Sequence, residues 1–197
     1  MTPALLFMVN KKTKYMTKIY LFLADGFETV EALGAIDILR RGKIDVCTVS
    51  INKERTVTSS HNIPVIADTI FGENDYSDGV GLLIPGGLKG VENLEAHEGV
   101  LALIDQYNED EKLITAICAG PSILGHKGLL KGKRATCYPG FEEELTGAIC
   151  NQASVERDGR FITGKGMGVT IEFALAILEY LTDKETAEHV ATTTMFR

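Results

Sequence analysis

Residues 113–130 read LITAICAGPSILGHKGLL. The run from Leu113 to Cys118 is the most apolar short segment of the chain, and the tripeptide AGP follows it directly. An apolar run of this length that stops at a glycine and a proline is typical of a buried strand that turns straight into a helix. Cys118 therefore falls at the end of a predicted central strand.

Short apolar runs and helical periods alternate on both sides of this segment. The sequence predicts strands at 19–23 (IYLFL), 45–49 (DVCTV), 81–87 (GLLIPGG, ending in a glycine turn) and 133–138 (KRATCY), and a hairpin turned at Asp158 and Gly159. It predicts a helix that Thr29 caps and Gly42 ends, a second helix over 91–107, and two more at 170–181 and 184–194. This alternation indicates one doubly wound α/β domain, with a mostly parallel sheet and helices on both faces.

The composition excludes several classes of function. The chain has 197 residues, of which 45% are hydrophobic and 24% charged, so one folded domain with a full core is expected. The formal net charge of −7 argues against nucleic acid and anionic membranes as partners, because both require a basic face. No apolar run approaches the roughly 20 residues that span a bilayer. The four cysteines show no CxxC spacing, so neither a metal site nor a disulfide framework is expected.

The first fifteen residues are expected to lie outside the fold. Their apolar stretch, Ala4 to Val9, is short for the core of a secretory signal and precedes the lysines, the reverse of the order in such a signal. We therefore expect residues 1–15 to be a non-native or disordered extension and residues 16–197 to form the domain. Without an export signal, and with thiols rather than disulfides, a cytoplasmic location is expected.

Three features of the sequence fall where predicted strands end: Cys118, the pair Gly86 and Gly87, and the acidic turn DGFETVE at 25–31. Ligands of open α/β sheets bind beyond the carboxyl ends of the strands. A cysteine at a strand-to-helix turn meets free N–H groups that favour the thiolate, so we expect a pKa below the ordinary thiol value. The backbone N–H groups of Gly86, Gly87 and Ala119 are expected to bind an oxyanion. A small buried hydrophobe is the alternative for Cys118, and it is the preferred interpretation of Cys47.

Four segments together carry a resemblance to a known family: AICAGPSILGHKGLLKGKRATCYPG, LLIPGG, DGFETVEALGAIDILRRG and GKGMGVTIEFALAILEYL. In this order and spacing they resemble the ThiJ/PfpI superfamily, in particular the branch of the parkinsonism-associated deglycase. The resemblance implies a flavodoxin-like fold, usually a homodimer, with Cys118 as nucleophile and Glu31 as the acid that hydrogen-bonds its sulfur. Without the resemblance, Glu31 is an exposed first-turn glutamate. Glu28, on the same turn, is the less suitable partner.

The sequence departs from the family at the predicted site. Where the deglycase branch has a histidine before proline, this chain has Tyr138, which is expected either to contact substrate or to pack beside Pro139. The position directly after the cysteine, a histidine in the protease branch, is Ala119, so a peptidase is not expected. A role of Cys137 as a resolving thiol stays open. Surface or structural roles are expected for all four histidines: His61, His97, His126 and His189.

Two functions use the same pair of residues. The first is a glyoxalase- or deglycase-like enzyme, without metal or organic cofactor, in which Cys118 attacks glyoxal, methylglyoxal or a glycated adduct and Glu31 moves the protons. A carboxyl buried beside a thiol should share one proton with it, which raises the carboxyl pKa. The second is a redox-responsive or chaperone-like protein in which Cys118 is oxidised and Glu31 stabilises the product. The enzyme is the principal prediction and the redox protein the alternative.

Overall fold

Seven strands form the central sheet of the computed structural model, which describes residues 17–197. In sheet order they are β10 (Val155–Asp158), β11 (Phe161–Gly164), β7 (Leu113–Ile117), β6 (Gly81–Ile84), β1 (Lys18–Leu23), β2 (Asp45–Ser50) and β5 (Thr69–Ile70). All neighbouring strands are parallel except β10, which pairs antiparallel with β11. The predicted mostly parallel sheet is therefore confirmed, whereas the predicted extension of residues 1–15 lies outside the described residues.

Helices cover both faces of this sheet, as predicted. One face carries α1 (Thr29–Arg41), α5 (Thr170–Leu181) and α6 (Lys184–Thr193), and the other carries α2 (Leu88–Glu95), α3 (Glu98–Glu109) and α4 (Pro121–His126). Side chains of β1 alternate between the two cores, with Leu21 in the first and Phe22 in the second, both fully buried. Such burial stabilises the fold by about 1.5–3 kcal/mol for each large apolar side chain. Within residues 17–197, no helix is both long and apolar enough to cross a membrane.

Two small sheets lie outside the main sheet. One is a hairpin of β3 (Thr56–Thr58) and β4 (Pro64–Ile66), and the other pairs β8 (Arg134–Ala135) with β9 (Ile149–Cys150). The hairpin is fixed to the turn between β1 and α1, because the Gly26 N–H donates to the Thr58 carbonyl across 2.8 Å. The structure therefore places the β3–β4 hairpin next to the carboxyl end of β1.

Three local predictions are wrong. The predicted helix at 91–107 is two helices, because His97 has an extended backbone and its Nδ1 accepts from the Val100 N–H, which starts α3 there. Glu28, not Thr29, caps α1, since its carboxylate accepts from the Val30 N–H. The strand predicted at 133–138 is regular over two residues only, those of β8.

Candidate active site

The candidate active site lies at the carboxyl ends of three adjacent strands. Cys118 directly follows β7, Gly86 lies just after β6, and Glu31 lies in the first turn of α1, which follows β1. Strands β1 and β6 are neighbours in the sheet. The chain leaves β1 toward β2 on one side of this pair, and it leaves β6 toward β7 on the opposite side. Open α/β sheets bind their ligands at such a switch point, because the connections leave in opposite directions and open a crevice there.

Cys118 has a left-handed backbone, with φ of 64°. A side chain other than glycine is strained in this region, and the surrounding structure must hold it there. Its N–H donates to the Gly164 carbonyl across 2.9 Å, and its carbonyl accepts from the Tyr138 N–H across 2.8 Å. The turn into α4 is thus a sharp elbow fixed on both sides, of the kind that presents a nucleophile in other α/β enzymes.

The Glu31 side chain is fully buried, although a glutamate with an ordinary pKa is charged at neutral pH. Its Oε2 accepts from the Gly86 N–H across 2.9 Å, and its carboxyl lies against the Cys118 thiol. Oε1 has no hydrogen-bond partner among the described residues. An unpartnered buried carboxyl oxygen is costly unless the group is protonated, so this environment favours the neutral acid.

The close approach of Glu31 to Cys118 depends on the absence of a side chain at Gly86. A Cβ on Gly86 would lie 2.6 Å from the Cβ of Cys118 and 3.1 Å from its sulfur, and it would overlap Oε2 of Glu31. Both distances are shorter than ordinary contacts of a Cβ. Glycine at this position therefore makes room for the pair.

Burial raises the pKa of both members of the pair. It raises the pKa of Glu31 to about 7, while the hydrogen bonds with Cys118 and Gly86 act in the opposite direction. Burial and the charge of Glu31 raise the pKa of Cys118 to about 12. The predicted low thiol pKa is therefore wrong: helix α4 has only six residues, and its neighbouring N–H groups do not outweigh the burial and the nearby carboxylate. The two groups are coupled, so their titration belongs to the pair and not to either residue alone.

The backbone N–H groups of Gly87 and Ala119 lower the pKa of the Cys118 thiol, against the larger effect of its burial. The third predicted oxyanion donor, the N–H of Gly86, is instead engaged by Glu31. Gly87 has φ of 91°, and a Cβ there would overlap the Gly26 carbonyl oxygen, so only glycine fits. Gly87 and Ala119 therefore stay the candidate oxyanion donors, whereas the Gly86 N–H is already used by Glu31.

A cavity of about 690 Å³ opens at the Cys118 sulfur. Its walls are mainly apolar, with a few polar and charged side chains, which is the usual character of a small-molecule site. The cavity is lined by Gly26, Glu28, Glu31, Ser59, Ser60, His61, Gly87, Leu88, Lys89, Cys118, Ala119, Tyr138, Phe141 and Met167. The half-exposed ring of Tyr138 is among them, whereas Cys137 is buried elsewhere, in the core.

His61 is a cavity residue that sequence reasoning missed. It lies 57 positions before Cys118 in a polar stretch without a motif, and only the folding of the β3–β4 hairpin brings it to the cavity. The other histidines behave as predicted where contacts define them. His97 caps α3, and His126 bridges Glu95 and Glu144, which raises its pKa.

Comparison with known proteins gives relatives over nearly the whole described chain. Residues 17–180 match the model of the DJ-1/PfpI family. Protein DJ-1 homolog A of Arabidopsis thaliana is 38% identical over 180 residues, which cover 89% of this chain and 45% of that protein. Protein dj-1beta of Drosophila melanogaster is 35% identical over 173 residues, which cover 86% of this chain and 91% of that protein. The chain thus spans less than half the length of the Arabidopsis relative.

Solved structures share the fold. A cysteine-to-alanine mutant of a DJ-1 superfamily protein from Salmonella typhimurium aligns with a TM-score of 0.86 at 35% identity, covering 91% of this chain and 98% of that one. Oxidized Toxoplasma gondii DJ-1 aligns with a TM-score of 0.87 at 30% identity, with the same coverage. The flavodoxin-like α/β fold expected from the sequence is confirmed.

Proposed function

The chain belongs to the DJ-1/PfpI family, and on that premise we propose that it is a cofactor-free, cysteine-dependent enzyme of glyoxalase or deglycase type. Its substrates are reactive aldehydes such as glyoxal and methylglyoxal, or their adducts. The observation that carries the proposal is the buried Glu31 carboxyl against the Cys118 thiol, at the floor of a cavity. A nucleophile beside its own proton acceptor is the arrangement that covalent catalysis requires.

The first step joins Cys118 to the aldehyde. The sulfur attacks the carbonyl carbon and forms a C–S bond, while the π-electron pair of the carbonyl moves to its oxygen. The thiol proton passes to Glu31 and from there to that oxygen, giving a hemithioacetal. The N–H groups of Gly87 and Ala119 stabilise the negative charge that develops on the oxygen.

The second step is an internal redox reaction of the substrate. The hydrogen on the carbon bonded to sulfur leaves as a proton, and its electron pair forms a C=C bond to the neighbouring carbonyl carbon. The π-electron pair of that carbonyl moves to its oxygen, which takes up a proton to give an enediol. A proton then adds to that neighbouring carbon, while the hydroxyl on the first carbon loses its proton and its oxygen becomes the carbonyl oxygen of the product. The first carbon is thereby oxidised to a thioester and the second is reduced to an alcohol. Water cleaves the thioester, which releases a hydroxy acid and restores the Cys118 thiol, so no external oxidant is consumed.

Steady-state conversion of methylglyoxal to lactate tests the proposal. Cys118→Ser should lower turnover by about a thousandfold or more, the usual cost of removing a nucleophile. Cys47→Ser is the matched control, since Cys47 is also a partly exposed free thiol but lies outside the cavity. Equal turnover in wild type and Cys118→Ser would contradict the enzyme, because free thiols also bind these aldehydes reversibly.

A redox function is the second candidate, and one observation favours it: the N–H groups of Gly87 and Ala119 and a protonated Glu31 are all donors suited to the oxygens of a sulfinate. A related protein from Toxoplasma has been solved as an oxidized form. Mild peroxide should then convert Cys118 selectively to the sulfinate. Glu31→Gln keeps a donor and should retain this product, whereas Glu31→Ala should let oxidation run further. The same mixture of products in all three proteins, resolved by intact mass, would exclude the redox role of Glu31.

We further propose a homodimer in a reducing compartment. Helix α1 exposes apolar side chains next to the cavity, Val30 and Leu33 among them, which a second copy would cover. The four cysteines are free thiols, which suits a reducing compartment.

A further inference from the structure

The tip of the β3–β4 hairpin is held rigidly against the turn that leads into α1. The Ser60 N–H donates to the Phe27 carbonyl across 2.8 Å, and the Thr29 hydroxyl donates to the Ser59 hydroxyl across 2.8 Å. His61 follows directly on this tip and lines the cavity. Its backbone is therefore fixed relative to the segment that carries Glu28 and Glu31, even though its ring is exposed.

A chain of hydrogen bonds orients the imidazole of His61. The Ser60 hydroxyl donates its single proton to Oε2 of Glu28 across 3.1 Å, and the Ser60 oxygen lies 3.0 Å from Nδ1 of His61. When Ser60 gives its proton to Glu28, its oxygen can only accept, and Nδ1 is then the donor in this contact. The neutral ring then carries its free electron pair on Nε2. A carboxylate that fixes the tautomer of a histidine is the arrangement found in catalytic triads, here with Ser60 in between.

The second step of the proposed reaction requires a base that Glu31 does not supply. Glu31 is buried beneath the sulfur, where it serves the thiol proton and the carbonyl oxygen. Among the other cavity side chains, Glu28 already accepts from the Ser60 hydroxyl and the Val30 N–H. Lys89 donates to Glu92, and Tyr138 offers a phenol O–H. Imidazole gives and takes protons near neutral pH.

We propose that His61 is the second proton carrier of this site, a role that rests on the proposed aldehyde reaction. Nε2 of His61 removes the proton from the carbon bonded to the Cys118 sulfur, and the C–H electron pair forms the enediol. The same nitrogen returns the proton to the neighbouring carbon. In between, the Ser60 and Glu28 chain stabilises the imidazolium. The hairpin thus supplies the imidazole that the family motif carries where this chain has Tyr138.

Turnover of His61 variants tests this assignment. His61→Ala should lower kcat/KM for methylglyoxal by about a hundredfold or more, the usual contribution of a general base. Added imidazole should restore part of the turnover of His61→Ala. His189→Ala is the matched control, since His189 is an exposed histidine on α6, and it should match wild type with or without imidazole. Alkylation of Cys118 by iodoacetamide should be equal in all three proteins, because His61 acts on the adduct and not on the thiol.

Each other outcome overturns a defined claim. Wild-type turnover in His61→Ala would overturn the role of His61 and leave the enzyme standing. A parallel loss of Cys118 alkylation would show that His61 only supports the fold of the site, and would overturn the role as well. Turnover in wild type that does not depend on Cys118 would overturn the proposed function, and His61 with it.

The tautomer of His61 gives a test that needs no activity. Nitrogen NMR of the ring should show the neutral form protonated at Nδ1 in wild type, and this preference should be lost in Ser60→Ala. Protonation at Nε2 in wild type would show that the hydrogen-bond chain does not form and would overturn the proposal.

Discussion

The backbone N–H of Gly86 donates a 2.9 Å hydrogen bond to Oε2 of Glu31. This bond joins the end of β6 to the first turn of α1 and aims the carboxyl at the thiol that follows β7. The same residue has no Cβ, which leaves the space that the carboxyl and Cys118 occupy. Gly86 therefore positions Glu31 in two ways, through its N–H and through the absence of a side chain.

Gly86→Ala should disrupt the pair. The added methyl group would clash with Cys118 and Glu31. We therefore expect the free energy of unfolding to fall by about 1–3 kcal/mol and the rate of Cys118 alkylation to change strongly. Urea denaturation and site-resolved mass spectrometry measure the two effects. Gly168→Ala is the control, because nothing lies within 4 Å of a Cβ at that exposed position. An alanine at Gly86 that leaves both quantities unchanged would contradict the close packing.

Glu31→Gln should change how stability depends on pH. Burial raises the pKa of Glu31 to about 7 from an ordinary 4.5, so ionising it in the folded state costs free energy that the unfolded chain does not bear. The wild type should lose stability as the pH rises from about 5 to 8, by about 3 kcal/mol relative to Glu31→Gln. Urea denaturation of both proteins at several pH values measures this difference. Parallel stability profiles would mean that Glu31 ionises as readily folded as unfolded.

Tyr138 should tolerate loss of its hydroxyl. The hydroxyl forms no side-chain hydrogen bond within residues 17–197, and the ring is half exposed at the cavity, so Tyr138→Phe should keep stability within about 0.5 kcal/mol and turnover within a few-fold. Tyr138→His should raise methylglyoxal turnover, because imidazole can carry protons in this cavity. Steady-state kinetics of the two variants decides. A large loss in Tyr138→Phe would instead give the hydroxyl a role in binding substrate.

Light scattering should give twice the 21.4 kDa mass of one chain at micromolar concentration. A charge placed on the exposed apolar face of α1, as in Val30→Glu, should shift the mass toward one chain, since burying an unpaired charge in an interface is costly. Lys53→Glu, on an exposed position outside α1, is the control for added negative charge. A wild-type mass of one chain would contradict the homodimer.

The fold could be predicted because its strands are short apolar runs bounded by glycine, and the strand of Leu113–Ile117 ends where the tripeptide AGP begins. The division of the second predicted helix could not be predicted. His97 starts a new helix by capping it with its side chain, and the spacing of the apolar residues does not change there. Periodicity reports the buried face of a helix and says little about its ends.

The site was predicted in part. The role of Cys118 could be predicted from its place at a strand-to-helix turn. The role of Glu31 could be predicted only from the family resemblance, because a first-turn glutamate is ordinarily exposed. The pKa of Cys118 was predicted in the wrong direction, since burial is a tertiary property that a turn sequence does not reveal. His61 reaches the cavity through hairpin contacts with residues more than thirty positions away, for which a single sequence carries no signal.

We expect Cys118 and Glu31 to share one proton, and both the proposed enzymatic function and the proposed redox function depend on this sharing. The most direct measurement is the rate of Cys118 alkylation by iodoacetamide against pH, resolved by mass spectrometry, in wild type and Glu31→Gln. In wild type the rate should rise through a midpoint near pH 7, where the pair loses its first proton, and then level off. In Glu31→Gln the midpoint should vanish and the rate should keep rising with pH, because the thiol then titrates alone. Identical profiles in the two proteins, or faster labelling of Cys47 or Cys150 than of Cys118 at neutral pH, would contradict the pair.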